Sequence, residues 1–452
     1  MALPSTPAMG CALRKILFIA YYFPPCSEGG VMRARAFVKY LPQYGWQPFV
    51  LTINDQYYLS HTRDEALVAE LPDDLAVHRT NSFEPKGKMA HDFKAGVYGI
   101  QKKGLFFERL IKPVLRQIYR SFVIPDEHIL WMPFAIRKGL QLIKQHHIDV
   151  ILVTTPPHSA GLIAAILGRL TGKPLIWDVR DDWVGNPLFD KGPSFSKIIG
   201  QFLEDQIVQR ARYIVTVTRE SIVAFTKKYP GQLSGKFKFI PNGFDRQEFA
   251  ALSLDQLTDA ELNTSDRLRI IYIGTLGATR SPISLFKAIK QLIDESSDNN
   301  CLKLDIYGYS RADFQEISTT MGLDGVVEFH GFVSRAESLR QLLMSNAALM
   351  IIPQEEGSST AIPGKLYEYL GAKKFVLALC NSDSAAGRLI NELNLGVVCP
   401  QNNIHQVKCV LQDMLNRHKD GMIKPTLAAT QLLYERSAQS ELLAILLDST
   451  LD

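Results

Sequence analysis

The densest chemistry in the sequence lies in eleven residues, Thr360-Ala361-Ile362-Pro363-Gly364-Lys365-Leu366-Tyr367-Glu368-Tyr369-Leu370. They follow a strand-like apolar run, 347–352, and a polar loop, 354–359. Pro363 fits the first turn of a helix, where its missing N–H costs nothing. The free amides that follow, with the helix dipole, form a ready anion site. Lys365 adds a full positive charge one turn in, where the dipole alone favours an acid. One reading has Lys365 facing a bound phosphate, with Glu368 accepting hydrogen bonds from ribose hydroxyls. The other has a surface lysine paired with Glu368 at i,i+3. The stretch by itself leaves the two even.

Other groups fall at corresponding edges. Gly274 with Arg280, and Gly308, close apolar runs upstream. Arg280, Lys365 and a helix N-terminus together match a diphosphate. In the first half, Phe23-Pro24-Pro25-Cys26-Ser27-Glu28-Gly29-Gly30 is a loop behind an apolar run, and its glycines serve either a ligand or only a tight turn. Asp178, Arg180, Asp181 and Asp182 end another apolar run, where open α/β sheets place their sites. The sequence has no G-x-G-x-x-G after the first strand, no P-loop, no G-x-S-x-G elbow, no H-E-x-x-H and no D-x-D. Metal dependence therefore has no support, and no cofactor is expected.

These groups need strands to hold them. Residues 15–22, 48–52, 148–153, 174–183, 213–218 and 237–243 read as strands, with a helix at 31–44 between the first two. Continuous apolar runs of this kind belong to buried parallel sheets. After a polar stretch at 245–266 the pattern restarts at 268–274, 302–308, 326–331, 347–352, 375–378 and 395–398. The expected fold is α/β: two Rossmann-like βαβ domains in tandem, 1–255 and 266–430, facing each other across a cleft. A closing helix within 431–452 is expected to pack back on the first domain.

At 452 residues the chain can hold two or three cores. A hydrophobic share of 46% and a charged share of 21% are those of an ordinary soluble protein. A net charge of +4 is too small to argue for nucleic acid, and none is expected as a partner. Six cysteines without C-x-x-C spacing suggest thiols in a reducing compartment. Residues 1–14 lack the pattern of a secretory leader. Residues 150–168 carry no charge, but Pro156-Pro157 would break a membrane span, so strand, turn and helix is the reading. A cytoplasmic protein is expected. Between 86 and 120, nine Lys/Arg stand against two acids, interleaved with aromatic and aliphatic residues. That mixture suits an anionic membrane surface or a lipid pyrophosphate, which would hold the protein peripherally at the inner face of the plasma membrane. A solvated helix face whose apolar side packs on the domain is the other reading, and the one slightly favoured.

Over nearly its whole length the chain resembles a family 4 glycosyltransferase of the GT-B fold. The 21–30 loop is similar to the family's first loop, and Ile240-Pro241-Asn242-Gly243-Phe244-Asp245 to its I-P-N-G-[VF]-D. Residues 274–288 follow G-R-L-x-x-x-K-G…A in register, with Arg280 at the phosphate-binding lysine and Thr275 in place of the arginine. Glu368 matches the second glutamate of E-x7-E, and Thr360 stands where the first would fall. The P-x-K-x-x-E-Y-L form resembles bacterial surface-polysaccharide transferases. Trp177-Asp178-Val179-Arg180-Asp181 falls where many members have T-x-H-D, so Arg180 replaces the histidine and His158 is the nearest remaining one.

The resemblance implies metal-independent transfer of a sugar, with retention, from a nucleotide-diphosphate sugar to a hydroxyl of a glycan or lipid-pyrophosphate-linked acceptor. It implies Arg280, Lys365 and Asp181 as catalytic residues. The donor would be bound by Gly29, Gly30, Gly274, Thr275, Gly308, Gly331, Thr360, Ile362, Pro363, Gly364, Leu366 and Glu368. Glu28, His158, Asp178 and Arg180 are the candidates toward acceptor or sugar. A non-catalytic GT-B protein that binds nucleotide or glycan is the alternative, and a sugar-nucleotide epimerase ranks last.

Overall fold

The computed structural model describes residues 13–27, 29–59, 62–86, 124–185, 194–231, 235–252, 267–296, 301–353 and 361–451. Glu28, Thr360 and all of the basic 86–120 stretch but Lys86 lie outside them. The chain forms two compact units, Met1–Pro241 with Arg436–Asp452, and Asn242–Glu435.

Unit 1 is built on β1 (Arg14–Ile19), β2 (Trp46–Ile53), β3 (Ala76–Thr80), β4 (Val150–Thr155), β5 (Leu175–Val179), β6 (Tyr213–Thr216) and β7 (Phe237–Phe239). Their order is β3-β2-β1-β4-β5-β6-β7, every pair parallel. The apolar runs have the function that continuous hydrophobicity predicts, since neighbouring residues serve opposite faces. Leu17, Ile19, Ile151 and Val153 join the core on one side. Ile16, Phe18, Val150 and Leu152 join the core on the other. The Arg436–Asp448 helix completes that second core with Leu443, Ala444 and Leu447. Trp46 Nε1 also donates to Asp448 at 2.7 Å. β3 has no counterpart in the sequence reading. Its residues, Ala-Val-His-Arg-Thr, are half-buried edge positions except Thr80, so they carry no apolar run.

Unit 2 repeats the plan with β8 (Leu268–Ile273), β9 (Leu302–Tyr307), β10 (Val327–Gly331), β11 (Ala347–Ile351), β12 (Phe375–Leu379) and β13 (Gly396–Cys399). The order is β10-β9-β8-β11-β12-β13, again all parallel. Its two cores likewise split alternate residues, with Leu349 and Ile351 on one face and Ala348 and Met350 on the other. The chain joins unit 2 at Asn242, ahead of the polar stretch that reads as a linker. The cause is local: Phe244 N donates to Tyr434 O at 2.9 Å, and Phe244 and Phe249 pack so tightly on Gly371 that a Cβ there would collide with both rings.

In both sheets the strand order reverses beside the first strand, between β1 and β4 and between β8 and β11. A crevice opens at such a point beyond the strands' carboxyl ends. The loops that begin at Ala20, Pro156, Gly274 and Ile352 follow the strands at these two points. Residues 150–168 are β4, a turn, and the start of the His158–Thr171 helix. Among the described residues no helix is long and apolar enough to cross a membrane.

Candidate functional site

In unit 2 the first helix after β11 runs Gly364–Gly371, and Pro363 is its N-cap (φ −60°, ψ 137°), one position ahead of the expected first turn. Lys365 is thus the second helical residue, and its side chain reaches back over the end of β8. Gly274 has φ +135°, and a Cβ there would land on the Lys365 ammonium. Glycine is what lets the cation come so close to the strand end. The ammonium also lies 4.7 Å from the centre of the Tyr272 ring. Burial, with the nearby Arg280 charge second, lowers the Lys365 pKa to about 8, and Glu368 acts weakly in the opposite sense. Arg280, six residues beyond Gly274, thus brings a second cation whose charge acts on Lys365.

Backbone bonds knit the neighbouring loops into a single rim. Gly274 N donates to Tyr307 O at 2.7 Å, Leu276 N to Tyr309 O at 2.8 Å, and Gly308 N to Gly331 O at 2.6 Å. Tyr309 and Phe332, each one residue beyond a strand-end glycine, stack with centroids 5.6 Å apart and remain 65% and 69% exposed. Exposed stacked rings at a ligand edge are unusual for a soluble surface, which seldom gathers large apolar groups without use. Thr275 is exposed and Ile362 half-buried beside this rim, whereas Leu366 is buried in the core.

Glu368 does not pair with Lys365. Its Oε1 accepts from Arg335 Nη1 at 2.7 Å, and Arg335 Nη2 donates to Glu248 Oε2 at 2.8 Å. Nothing in the sequence marks Arg335 or Glu248, since no spacing rule links residues 248, 335 and 368.

In unit 1, Arg180 donates to Thr154 Oγ1, Gly29 O and Pro156 O at 3.2, 2.9 and 2.7 Å. A Cβ on Gly30 (φ +94°) would fall on its guanidinium. Arg180 therefore braces the glycine loop that Gly29 and Gly30 form. Asp178 lies beneath it at 1% exposure. Its carboxylate accepts from Arg33 Nη2 at 2.8 Å and from Thr154 Oγ1 at 2.8 Å. Arg33, equally buried, also donates to the carbonyls of Ile240 and Pro241. Asp178 is thereby a support for the crevice floor, remote from solvent. Asp181 is exposed at the rim. His158 is buried and stacks on Trp183 at 5.0 Å, and burial with the Arg180 charge lowers its pKa to about 3. It is neutral at physiological pH.

A second buried cluster closes the edge behind β1 and β3. Glu84 Oε2 accepts from Tyr21 at 2.7 Å and bonds His128 Nδ1 at 2.9 Å, while His128 Nε2 meets the Tyr22 hydroxyl at 3.3 Å. Burial is the largest single influence and opposes charge on His128, but the Glu84 bond and charge, with the charges of Asp126 and Glu127, together outweigh it and raise the imidazole pKa.

Among the described residues one group, Asp305, Glu328 and His330, has metal-ligand spacing. Arg269 donates to Asp305, and Lys303 lies 2.9 Å from Glu328. These cations already neutralise the carboxylates, which fits a structural network better than a cation site.

The model for the family described as Glycosyltransferase Family 4 matches residues 89–248. That stretch, about a third of the chain, is similar to glycosyltransferase family 4, and the fold of the chain is GT-B. No curated protein matches the sequence. Among solved structures, Anabaena Alr3699/HepE in complex with UDP is 15% identical and has a TM-score of 0.59, covering 96% of this chain and 100% of that one. A glycosyltransferase from Rickettsia africae ESF-5 is 12% identical (TM-score 0.61; 98% and 100% covered). WaaG, a glycosyltransferase involved in lipopolysaccharide biosynthesis, is 13% identical (TM-score 0.53; 96% and 99% covered). In this GT-B protein the candidate residues fall into two sets. Gly274, Thr275, Arg280, Ile362, Pro363, Gly364, Lys365 and Glu368 lie on the segments that follow β8 and β11 in unit 2, and Gly308 and Gly331 at the ends of the neighbouring β9 and β10. Gly29, Gly30, His158, Arg180 and Asp181 collect at the β1–β4 switch of unit 1, with Asp178 below them.

Proposed function

We propose that the protein transfers a sugar from a nucleoside-diphosphate sugar to an acceptor hydroxyl, with retention and without a metal ion. The observation that carries this reading is the Lys365–Arg280 pair at the Gly274 strand end. Holding two cations together in a half-buried place raises their energy, and a diphosphate relieves it. As the bond to the sugar breaks, the same charges neutralise the departing diphosphate, a kind of preorganised stabilisation worth roughly 3–4 kcal/mol per comparable donor. In this reading Glu368 meets the ribose, and the faces of Tyr309 and Phe332 are open to the base. UDP sugars are the first donors to try, since HepE has been crystallised with UDP and with UDP-glucose. A glycan or lipid-pyrophosphate acceptor in surface-polysaccharide assembly, reached from the inner face of the plasma membrane, is the acceptor side of the proposal. Asp181, at the rim of unit 1, is the carboxylate proposed to act there.

Thermal unfolding against UDP-, GDP-, dTDP- and CMP-sugars tests the donor. A true donor at a hundred times its Kd adds about 2.7 kcal/mol of stability. Lys365→Ala should keep the fold, lose most of that shift, and lower kcat/KM by about a hundredfold or more. Undiminished turnover in Lys365→Ala would refute the diphosphate assignment. Binding without transfer to any acceptor or to water would favour the non-catalytic reading.

A further inference from the structure

We infer that Arg335 is a positioning residue for nucleotide recognition: it holds Glu368 away from Lys365, so that the carboxylate serves a ribose diol and the ammonium a phosphate. The inference rests on the donor reading above and adds to it a residue outside the 360–370 stretch.

Lys365 and Glu368 are three apart on one helix, the spacing at which a lysine and a glutamate close an ion pair in the absence of competition. Had they paired, each would have cancelled the other and neither would be available to a nucleotide. Arg335 prevents this. It opens the Arg335–Met344 helix, whose N-cap Ser334 accepts from Glu337 N at 3.2 Å, so its backbone is fixed. Its guanidinium divides its two terminal nitrogens between Glu368 Oε1 and Glu248 Oε2, at 2.7 and 2.8 Å. Glu248 anchors the far side from the Arg246–Ala251 helix, which is itself capped by Asp245 through Gln247 N at 3.0 Å. Two carboxylates on one planar fork fix that fork in a single orientation.

Among the described residues only Oε1 of Glu368 is engaged, which leaves Oε2 to accept. A carboxylate with one oxygen fixed presents the other in a fixed direction, and it can only accept. A vicinal diol offers two donors. The side chains of Glu248, Glu368 and Arg335 are 13%, 21% and 30% exposed, so the clamp is partly screened while Glu368 still reaches solvent.

The test compares a nucleoside diphosphate with its 2′,3′-dideoxy counterpart by calorimetry, taking whichever of UDP, GDP, ADP or CDP the wild type binds. The wild type should prefer the ribose form by about ten- to a hundredfold, the worth of one or two hydrogen bonds to a charged group. Arg335→Ala and Arg335→Gln should bind both forms alike and more weakly than the wild type binds the dideoxy form, since Glu368 then closes on Lys365, whereas Glu368→Gln should bind both at the wild type's dideoxy affinity. Arg335→Lys cannot serve both carboxylates and should recover only part of the preference. A role in folding alone would weaken both ligands equally and leave their ratio intact, so a wild-type ratio in both Arg335 variants, or none in the wild type, overturns the inference. Failure of the wild type to bind any of the four diphosphates would sink the donor reading itself. Thermal unfolding of each variant separates misfolding from lost discrimination, and if Arg335→Ala unfolds, Arg335→Gln decides.

Discussion

Lys365 and Glu368 carried two readings in the sequence because spacing along a helix cannot say which of several neighbours a charge prefers. The structure separates them, and it does so through Arg335, thirty residues upstream in sequence and invisible to any local rule. Asp178 and Arg180 show the same limit from the other side. Both stand at the end of an apolar run, where chemistry is expected, yet one is buried on Arg33 and the other is spent on the glycine loop. Whether a charge is a tool or a strut depends on what lies opposite it, which only the fold reveals. At this scale Lys365 makes a pH prediction. Its pKa is lowered from 10.5 to about 8, so the unfolded chain holds its proton more tightly than the folded one between those values. Without ligand the lysine therefore costs stability below pH 8, and that cost fades as pH rises toward 10.5. Diphosphate binding has the opposite sense, since it needs the charged form. Affinity should be full below about pH 7 and fall tenfold per unit above pH 8. Lys365→Arg, charged throughout, should bind with a flat profile from pH 6.5 to 9.5. A wild-type profile equally flat would show that Lys365 does not meet the phosphate.

Among the elements, the buried strands were the most legible because continuous apolar runs admit few other homes. Every strand of unit 2 and six of the seven in unit 1 have counterparts in such runs, while β3, half-buried at the sheet edge, left no run to read. Strand order was not legible, and it is order that decides which loops share a crevice. The glycines at the ends of β8, β9 and β10 gain their meaning there. Gly308, with φ +116°, is packed so that a Cβ would strike the carbonyl of Gly274, a backbone atom that cannot step aside. Gly331, with φ +71°, has open space where its Cβ would be. Gly308→Ala should therefore cost roughly 2–4 kcal/mol and spoil the Lys365 site with it, whereas Gly331→Ala should cost about 1–2 kcal/mol of backbone strain alone. Urea unfolding of the two variants, with nucleotide affinity beside it, checks the contrast. Equal losses would mean the Gly308–Gly274 contact does not shape the rim.

For the whole molecule, the chain's path matters more than any motif. It builds unit 1, leaves at Pro241, completes unit 2, and returns at Arg436 to finish the first core. Unit 1 is thus made of segments from both ends of the chain, and its last pieces, Leu443, Ala444 and Leu447, sit among Ile16, Phe37, Trp46 and Ile240. Among the described residues, the cores of unit 2 draw on residues from Phe244 to Tyr434. A cavity cut into the returning helix should therefore be felt by one unit and not by the other. Leu447, fully buried, is the residue to truncate. Leu447→Ala should cost about 2–5 kcal/mol, the range for a buried leucine whose cavity cannot collapse. Native-state hydrogen exchange should then quicken in β1, β2 and the Val31–Tyr40 helix, while β8, β9 and β11 keep their protection and the nucleotide its affinity. Equal quickening in both sheets would mean the two units unfold as one.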